Sequence, residues 1–158
     1  MNVKMAKEEL DMINIITLNT GETVTYDEDL EVFTGKIKWL EDEVELFLAP
    51  DKNSDTADYS VDIFEEILQN PKKWDTTARE YIAGYLQMHF PEMMNVDGNE
   101  LTPEEIKCFP ELECIFIGPD RSMEFSFSDC SLLNGKQLIA CGKYGNGFEV
   151  CKIERHFD

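Results

Sequence analysis

The sequence predicts an α+β fold in which an N-terminal hairpin and C-terminal strands form one antiparallel sheet, with about three helices between them packed on one face. Three patterns in the 158-residue chain predict it. Apolar residues alternate with polar ones around 33–48, recur every three or four residues around 58–90, and alternate again after 112. The length fits one domain, since roughly 100–200 residues are typical. We therefore expect a single domain over residues 1–158, with 1–12 as a frayed lead.

Strands are expected in the first third of the chain. Residues 13–18 are apolar, and 23–26 are rich in the β-branched and aromatic side chains that favour strands. The clearest pair is Phe33–Trp39 with Val44–Leu48, where both arms alternate with period two around a polar tip. The lysines of the first arm, at 36 and 38, can face the glutamates of the second, which indicates an antiparallel hairpin.

Helices are expected in the middle of the chain. The spacing of apolar residues predicts one over Asp58–Gln69, ended by Asn70-Pro71. A second is expected to begin after Trp74-Asp75, with Asp75 or Thr77 as its cap, and to end at Pro91. Gly84 in its interior costs about 1 kcal/mol relative to alanine, so either close packing requires a glycine at that point or the helix prediction is weaker there.

A third, short helix and the C-terminal strands complete the pattern. Thr102-Pro103-Glu104-Glu105 combines a cap hydroxyl, a proline at the first helical position and a glutamate at the third. Strands are expected at 112–118, 123–127, 137–142 and 148–153. A three-residue loop between the last two would set Cys141 opposite Cys151, close enough to consider a disulfide, although a cytosolic setting favours two thiols.

The predicted core joins the sheet to the helices. From the sheet we expect these residues to be buried: Phe33, Ile37, Trp39, Leu46, Phe125 and Phe127. From the helices we expect Phe64, Leu68, Ile82 and Leu86.

Net charge excludes several classes of partner. The chain has 14 Lys and Arg against 33 Asp and Glu, a formal net charge of −19. Nucleic acids and anionic membrane surfaces would repel it, because both are bound through clustered basic residues. Such a negative field can steer a basic protein partner, although solubility alone also accounts for it.

Nothing in the sequence predicts a membrane span, a disulfide framework or a metal site. No run of about 18 apolar residues is present, and residues 1–9 lack the apolar core of a signal peptide, so we expect a cytoplasmic protein. The five cysteines are odd in number and form no C-x-x-C pair, which favours reduced thiols. No cofactor and no metal are expected.

Two motifs were weighed for chemistry. The stretch from Asn95 to Glu105 resembles a calcium-binding loop, but Glu100 stands where that loop needs glycine, so an Asp-Gly turn before a capped helix is favoured. The two histidines, His89 and His156, could serve a Cys–His or Asp–His site only if the fold brings a cysteine or carboxylate to them.

Two surfaces are candidates for binding. One is the acidic hairpin tip, Glu41-Asp42-Glu43, which is more often a solvated turn. The other is the apolar pair Met93 and Met94, because methionine-rich surfaces adapt to partners, although core packing is the commoner role.

The order of these signals resembles an uncharacterised bacterial domain-of-unknown-function family, number two thousand two hundred and sixty-two. The resemblance spans Asp29 to Ile153 and rests on Phe33-Thr34-Gly35-Lys36-Ile37-Lys38-Trp39, Val44 to Leu48, Trp74-Asp75 before Arg79, Thr102-Pro103-Glu104-Glu105, and Asp129 to Gly135. This chain has Leu133-Asn134-Gly135-Lys136 in place of a family Phe-x-Gly-His element, so no histidine-dependent activity is carried over. The family implies no settled reaction.

The leading hypothesis is a non-enzymatic cytoplasmic binding protein, immunity- or adaptor-like, with a protein partner that is plausibly basic. Two alternatives remain open. One is a small hydrolase-like enzyme that uses cysteine or aspartate with His89 or His156. The other is an acidic polyanion mimic that occupies the groove of a DNA-binding protein.

Overall fold

The computed structural model describes residues 14–52, 56–128 and 131–154. In this part of the chain the strands are β1 (Ile15–Thr17), β2 (Thr23–Asp27), β3 (Val32–Trp39), β4 (Asp42–Leu48), β5 (Asn95–Val96), β6 (Asn99–Glu100), β7 (Glu111–Ile117), β8 (Ser122–Ser128), β9 (Gln137–Lys143) and β10 (Gly147–Glu154). The α-helices are α1 (Asp58–Ile67), α2 (Pro71–His89) and α3 (Pro103–Cys108), and short 3-10 turns lie at Pro91–Met93 and Pro119–Arg121. The α+β prediction is confirmed.

Eight of these strands form one sheet in the order β1-β2-β3-β4-β7-β8-β9-β10, and β5 pairs with β6 separately. The prediction that the N-terminal hairpin and the C-terminal strands share a sheet is confirmed. All neighbours in the sheet are antiparallel except β4 and β7, which run parallel and are joined through the three helices. A crossover of this length is what a parallel connection requires.

The β3–β4 hairpin has the register that its charges predict. Lys36 lies opposite Glu45 and Lys38 lies opposite Glu43 on one face of the pair. Gly35 lies on the other face, where β2 approaches closely: a Cβ at this position would stand 2.6 Å from the carbonyl oxygen of Thr23. The glycine therefore allows β2 and β3 to pack.

The core lies between the helices and one face of the sheet. All six sheet residues predicted for it are buried, as are Phe64, Ile82 and Leu86, while Leu68 is half-buried. Aromatic rings join the two layers: Trp74 and Tyr81 of α2 contact Phe148 of β10, which in turn contacts Phe125. These contacts place α2 on the face of the sheet to which the Phe125 side chain of β8 points.

The start of α2 differs from the prediction. The helix begins at Pro71, not after Asp75, and the side chain of Asn70 accepts a hydrogen bond from the Lys73 N–H. Asn70-Pro71 therefore ends one helix and begins the next, because asparagine is a favoured N-cap and proline a favoured first helical residue.

Two further local predictions are confirmed. Asp97 and Gly98, both with positive φ, form the turn of the β5–β6 hairpin where the calcium-loop resemblance was set aside. Thr102 and Glu105 form the predicted capping box at the start of α3. Among the described residues, no helix combines the length and the apolar character needed to cross a bilayer.

The predicted pairing of Cys141 with Cys151 is wrong by one residue. A β-bulge between Phe148 and Val150 shifts the register, so that Cys141 lies opposite Val150 and Cys151 lies opposite Ala140. Successive residues of a strand face opposite sides of the sheet. The two thiols therefore point to opposite faces, and both are free.

A polar network fastens α2 to the sheet and to α3. The indole Nε1 of Trp39 donates to Asp75 Oδ1 at 3.1 Å, and Arg79 Nε donates to Asp75 Oδ2 at 2.8 Å. Arg79 Nη1 also donates to the backbone carbonyls of Lys107, at 3.0 Å, and of Pro110. One guanidinium thus satisfies carbonyls left open where α3 ends.

Candidate protein-binding groove

A groove of about 650 Å³ lies between α2 and the edge strand β10. The helix lines it with Glu80, Tyr81, Gly84, Tyr85, Met88 and His89. The strand lines it with Glu149, Val150 and Cys151. The volume is in the range of ligand-binding clefts. We call this feature the α2–β10 groove.

The helix supplies the groove with one continuous face. The lining residues recur at four-residue steps from Glu80 to Met88 and from Tyr81 to His89, so they form neighbouring rows along the helix. Tyr81 packs on Phe148 with ring centroids 6.2 Å apart, which fixes the position of the floor. Met88 lies at the rim with 77% of its surface exposed. The groove therefore has an aromatic floor and an exposed apolar rim.

The other wall is the free edge of the sheet. β10 is the last strand in the sheet order, and no described strand pairs with its outer side. Val150 is 51% exposed beside the groove. An edge strand presents backbone donors and acceptors that have no partner within the sheet. This wall therefore contributes backbone groups available for hydrogen bonding, while the side chain of Val150 lies opposite Cys141, on the face of the sheet turned away from α2.

The titratable groups of the groove leave its floor uncharged at neutral pH. Burial raises the pKa of Tyr81, and the negative charge of nearby groups that include Glu149 adds to the effect. Burial raises the pKa of Cys151 to about 12. A thiol with this pKa is protonated, and the thiolate is the nucleophilic form. The floor therefore offers a phenol and a thiol as neutral groups, while the carboxylates of Glu80 and Glu149 stand exposed at its margins.

The described histidine does not form the catalytic pair that the hydrolase alternative requires. The ring of His89 is exposed and packs on Tyr85, with centroids 4.3 Å apart. No described cysteine or aspartate lies within hydrogen-bonding distance of it. His156 lies outside the described residues. The geometry around His89 is that of a helix-end residue that covers a tyrosine.

The surface residues predicted from sequence are divided between the surface and the core. Glu41, Asp42 and Glu43 are all exposed where β3 turns into β4. Met93 is 38% exposed, but Met94 is only 2% exposed and belongs to the core. The structure therefore does not bring the two methionines together as one apolar patch, because the 3-10 turn that precedes Met94 directs it inward.

Sequence reasoning missed the α2–β10 groove because its two walls are distant in the chain. The predicted second helix contains Tyr81 and Tyr85, and the predicted strand 148–153 contains Val150, but no local pattern indicates that these two elements meet at the sheet edge. One signal was present: Gly84 interrupts a helix that is otherwise well formed. A glycine in a helix interior requires a reason outside helix propensity.

A second concavity, of about 610 Å³, lies where β4 and β7 end. Asp51, which lines this concavity, has a structural role. The Asp51 carboxylate accepts hydrogen bonds from the backbone N–H groups of Asp58 and Tyr59 at 3.0 and 3.1 Å. This carboxylate caps α1 from a distance. The role of Asp51 in this concavity is therefore the capping of α1.

No curated protein and no solved structure shows significant similarity to the chain. A family of uncharacterised proteins conserved in bacteria matches residues 21–153. The match begins somewhat before Asp29, where the resemblance was expected to start, and ends at the expected Ile153. The matched residues include most of the sheet, all three α-helices and both walls of the groove. The chain therefore belongs to this bacterial family, DUF2262.

Proposed function

We propose that the chain is a non-enzymatic protein-binding module whose partner is a basic protein. The observation that carries this proposal is the α2–β10 groove, in which exposed apolar side chains are flanked by carboxylates on a chain of net charge −19. An apolar centre with a polar rim is the usual anatomy of a protein–protein interface. The negative field around it favours encounter with a positively charged partner.

The acidic hairpin tip is the second surface that supports a basic partner. Glu41, Asp42 and Glu43 are consecutive and exposed, so their carboxylates extend into solvent at one end of the sheet. Exposed charges of this kind contribute more to association rate than to affinity. We therefore assign the tip a steering role, and Met93, the exposed methionine of the predicted pair, an accessory contact.

The test is capture of proteins from a lysate of the source organism by three forms of the chain. The first is the native chain, the second carries Glu80→Gln and Glu149→Gln, and the third carries Glu41→Gln, Asp42→Asn and Glu43→Gln. We expect basic proteins on the native chain that are released at high salt, since the Debye length falls to about 3 Å at 1 M. We expect fewer of them on the groove variant.

The identity of what is captured distinguishes the remaining forms of the proposal. A DNA-binding partner that competing DNA displaces favours the polyanion mimic, and a basic partner that ignores DNA favours an adaptor or immunity role. Capture of the same proteins by all three forms, unaffected by salt, would contradict a charge-guided binding module, as would the absence of any captured protein.

A further inference from the structure

Gly84 is a glycine that the fold does not explain. It lies in the interior of α2, and its φ is not in the left-handed region that glycine alone adopts readily. A Cβ built at this position meets no described atom within 4 Å. By contrast, a Cβ at Gly142 would stand 2.0 Å from the carbonyl oxygen of Gly147. Packing against Gly147 requires a glycine at position 142, whereas no described neighbour requires one at position 84.

The cost of Gly84 therefore has no compensation among the residues that the structure describes. Glycine in a helix interior is less favourable than alanine by about 0.8–1.0 kcal/mol. Glycine is also the residue used where a ligand or another backbone must approach closely. Gly84 lines the α2–β10 groove between Tyr81 and Met88, so the approaching group would lie in the groove.

The wall opposite Gly84 determines what kind of group fits. The bulge between Phe148 and Val150 interrupts the edge of β10, and the regular part of the edge runs from Val150 to Glu154. An extended segment satisfies the outward backbone groups of such an edge by adding a strand. A helix or a compact loop would leave them unpaired.

Charge selects a partner segment over a second copy of this chain. Each copy of the chain carries a net charge of −19, so two copies brought together along β10 repel each other. A partner segment that places basic residues beside Glu80 and Glu149 is instead attracted by their negative charge.

We infer that the α2–β10 groove binds an extended, basic segment of a partner protein as an added strand on β10, with Gly84 leaving room for that segment under α2. Side chains of the segment that face the helix contact Tyr81, Tyr85 and Met88, which favours β-branched or other apolar residues there. Alternate residues face away from the helix, and basic ones suit the acidic chain. This inference rests on the proposed function and specifies its binding mode.

The probe is a library of random peptides of 8 residues, the length of β10, selected on the full native chain. We expect enrichment of sequences that alternate Lys or Arg with Val, Ile or Thr. A synthetic peptide of the enriched pattern is then titrated, with fluorescence anisotropy for affinity and amide NMR shifts for location. Two N-methylated peptides are compared, one methylated at the odd-numbered and one at the even-numbered backbone nitrogens. Only one of them should lose binding, because the N–H groups of every second residue point towards β10.

The matched variants are Gly84→Ala, Gly84→Leu and Thr77→Ala. Thr77 is exposed on the same helix and outside the groove, and alanine has the higher helix propensity at both positions. We expect Gly84→Ala and Thr77→Ala both to be more stable than the native chain. Only the Gly84 variants should bind the peptide more weakly, by about tenfold for Gly84→Leu, which corresponds to about 1.4 kcal/mol.

Three results would overturn the inference. They are enrichment of acidic or helix-forming peptides, unchanged affinity in Gly84→Leu, and concentration-dependent dimers that Gly84→Leu abolishes. Absence of any enriched peptide would overturn it as well. If the groove variants bind normally while the Glu41, Asp42 and Glu43 variant loses its basic partner, the proposed function stands and only the groove assignment fails.

Discussion

Replacing Arg79 with methionine should destabilise the fold by about 3 kcal/mol, because one guanidinium donates hydrogen bonds to three acceptors. Methionine keeps the unbranched apolar stem but removes the bonds to Asp75 and to the carbonyls of Lys107 and Pro110. Removing one partner of a buried ion pair costs about 3–5 kcal/mol. The side chains are 23% and 13% exposed, and Asp75 keeps its bond from Trp39, so we take the lower end.

The assay is urea unfolding followed by tryptophan fluorescence, which reports directly on this network because Trp39 is buried beside it. In a parallel thermal unfolding experiment, a loss of 1 kcal/mol lowers Tm by about 2–4 °C for a chain of this length, so we expect Tm to fall by roughly 6–12 °C. A double-mutant cycle with Asp75→Asn should show a coupling of about 0.5–3 kcal/mol.

The matched control is Arg121→Met. Arg121 also donates to a backbone carbonyl, that of Tyr144, and its guanidinium carbon lies 5.3 Å from an aromatic centroid, the same separation as Arg79 from Phe127. Arg121 is exposed, so its replacement should cost no more than about 1 kcal/mol. The network interpretation is refuted if Arg79→Met costs less than about 1 kcal/mol or no more than Arg121→Met.

Three further outcomes are expected. Ser60→Ala should lower the free energy of unfolding by about 1 kcal/mol in urea titrations, since the buried hydroxyl donates a 2.9 Å hydrogen bond to the backbone just after β4. The backbone N–H and then the hydroxyl of Thr102 hold the pKa of Glu105 below its usual value. The native chain should therefore exceed Glu105→Gln in free energy of unfolding by most at pH values above the ordinary carboxyl pKa of about 4, and this advantage should be lost as pH falls. A difference in free energy of unfolding that does not change with pH would argue against the capping box. In native protein at neutral pH an alkylating reagent should modify exposed Cys108 well before Cys151, because burial keeps the Cys151 thiol protonated. Mass spectrometry follows the order of modification, and the reverse order would contradict this assignment.

Short-range physics determined most of the elements. The alternation on both arms of the β3–β4 hairpin placed its register, including the lysine–glutamate pairs, because period two and a short turn leave one antiparallel pairing that buries the apolar face. The capping box of α3 was equally local. The start of α2 was misplaced because Asn70-Pro71 carries two local signals at once, a stop for one helix and a start for the next.

The register at the end of the chain shows where local patterns stop being sufficient. The loop between β9 and β10 predicted Cys141 opposite Cys151, but the bulge after Phe148 moves the pairing by one residue. Phe148, beside the bulge, packs against Trp74 of α2 and Phe125 of β8, and neither of those contacts is close in sequence. A shift of one residue reverses which face a side chain occupies.

By itself, the sequence determined the α+β class, the acidic character and the family, since composition and local periodicity are properties of the chain. Only the tertiary structure decided that β4 and β7 run parallel, that Met94 is buried, and that α2 meets the free edge of β10. The physical reason is that these features arise from contacts between segments far apart in the chain, whose arrangement follows from packing the whole core.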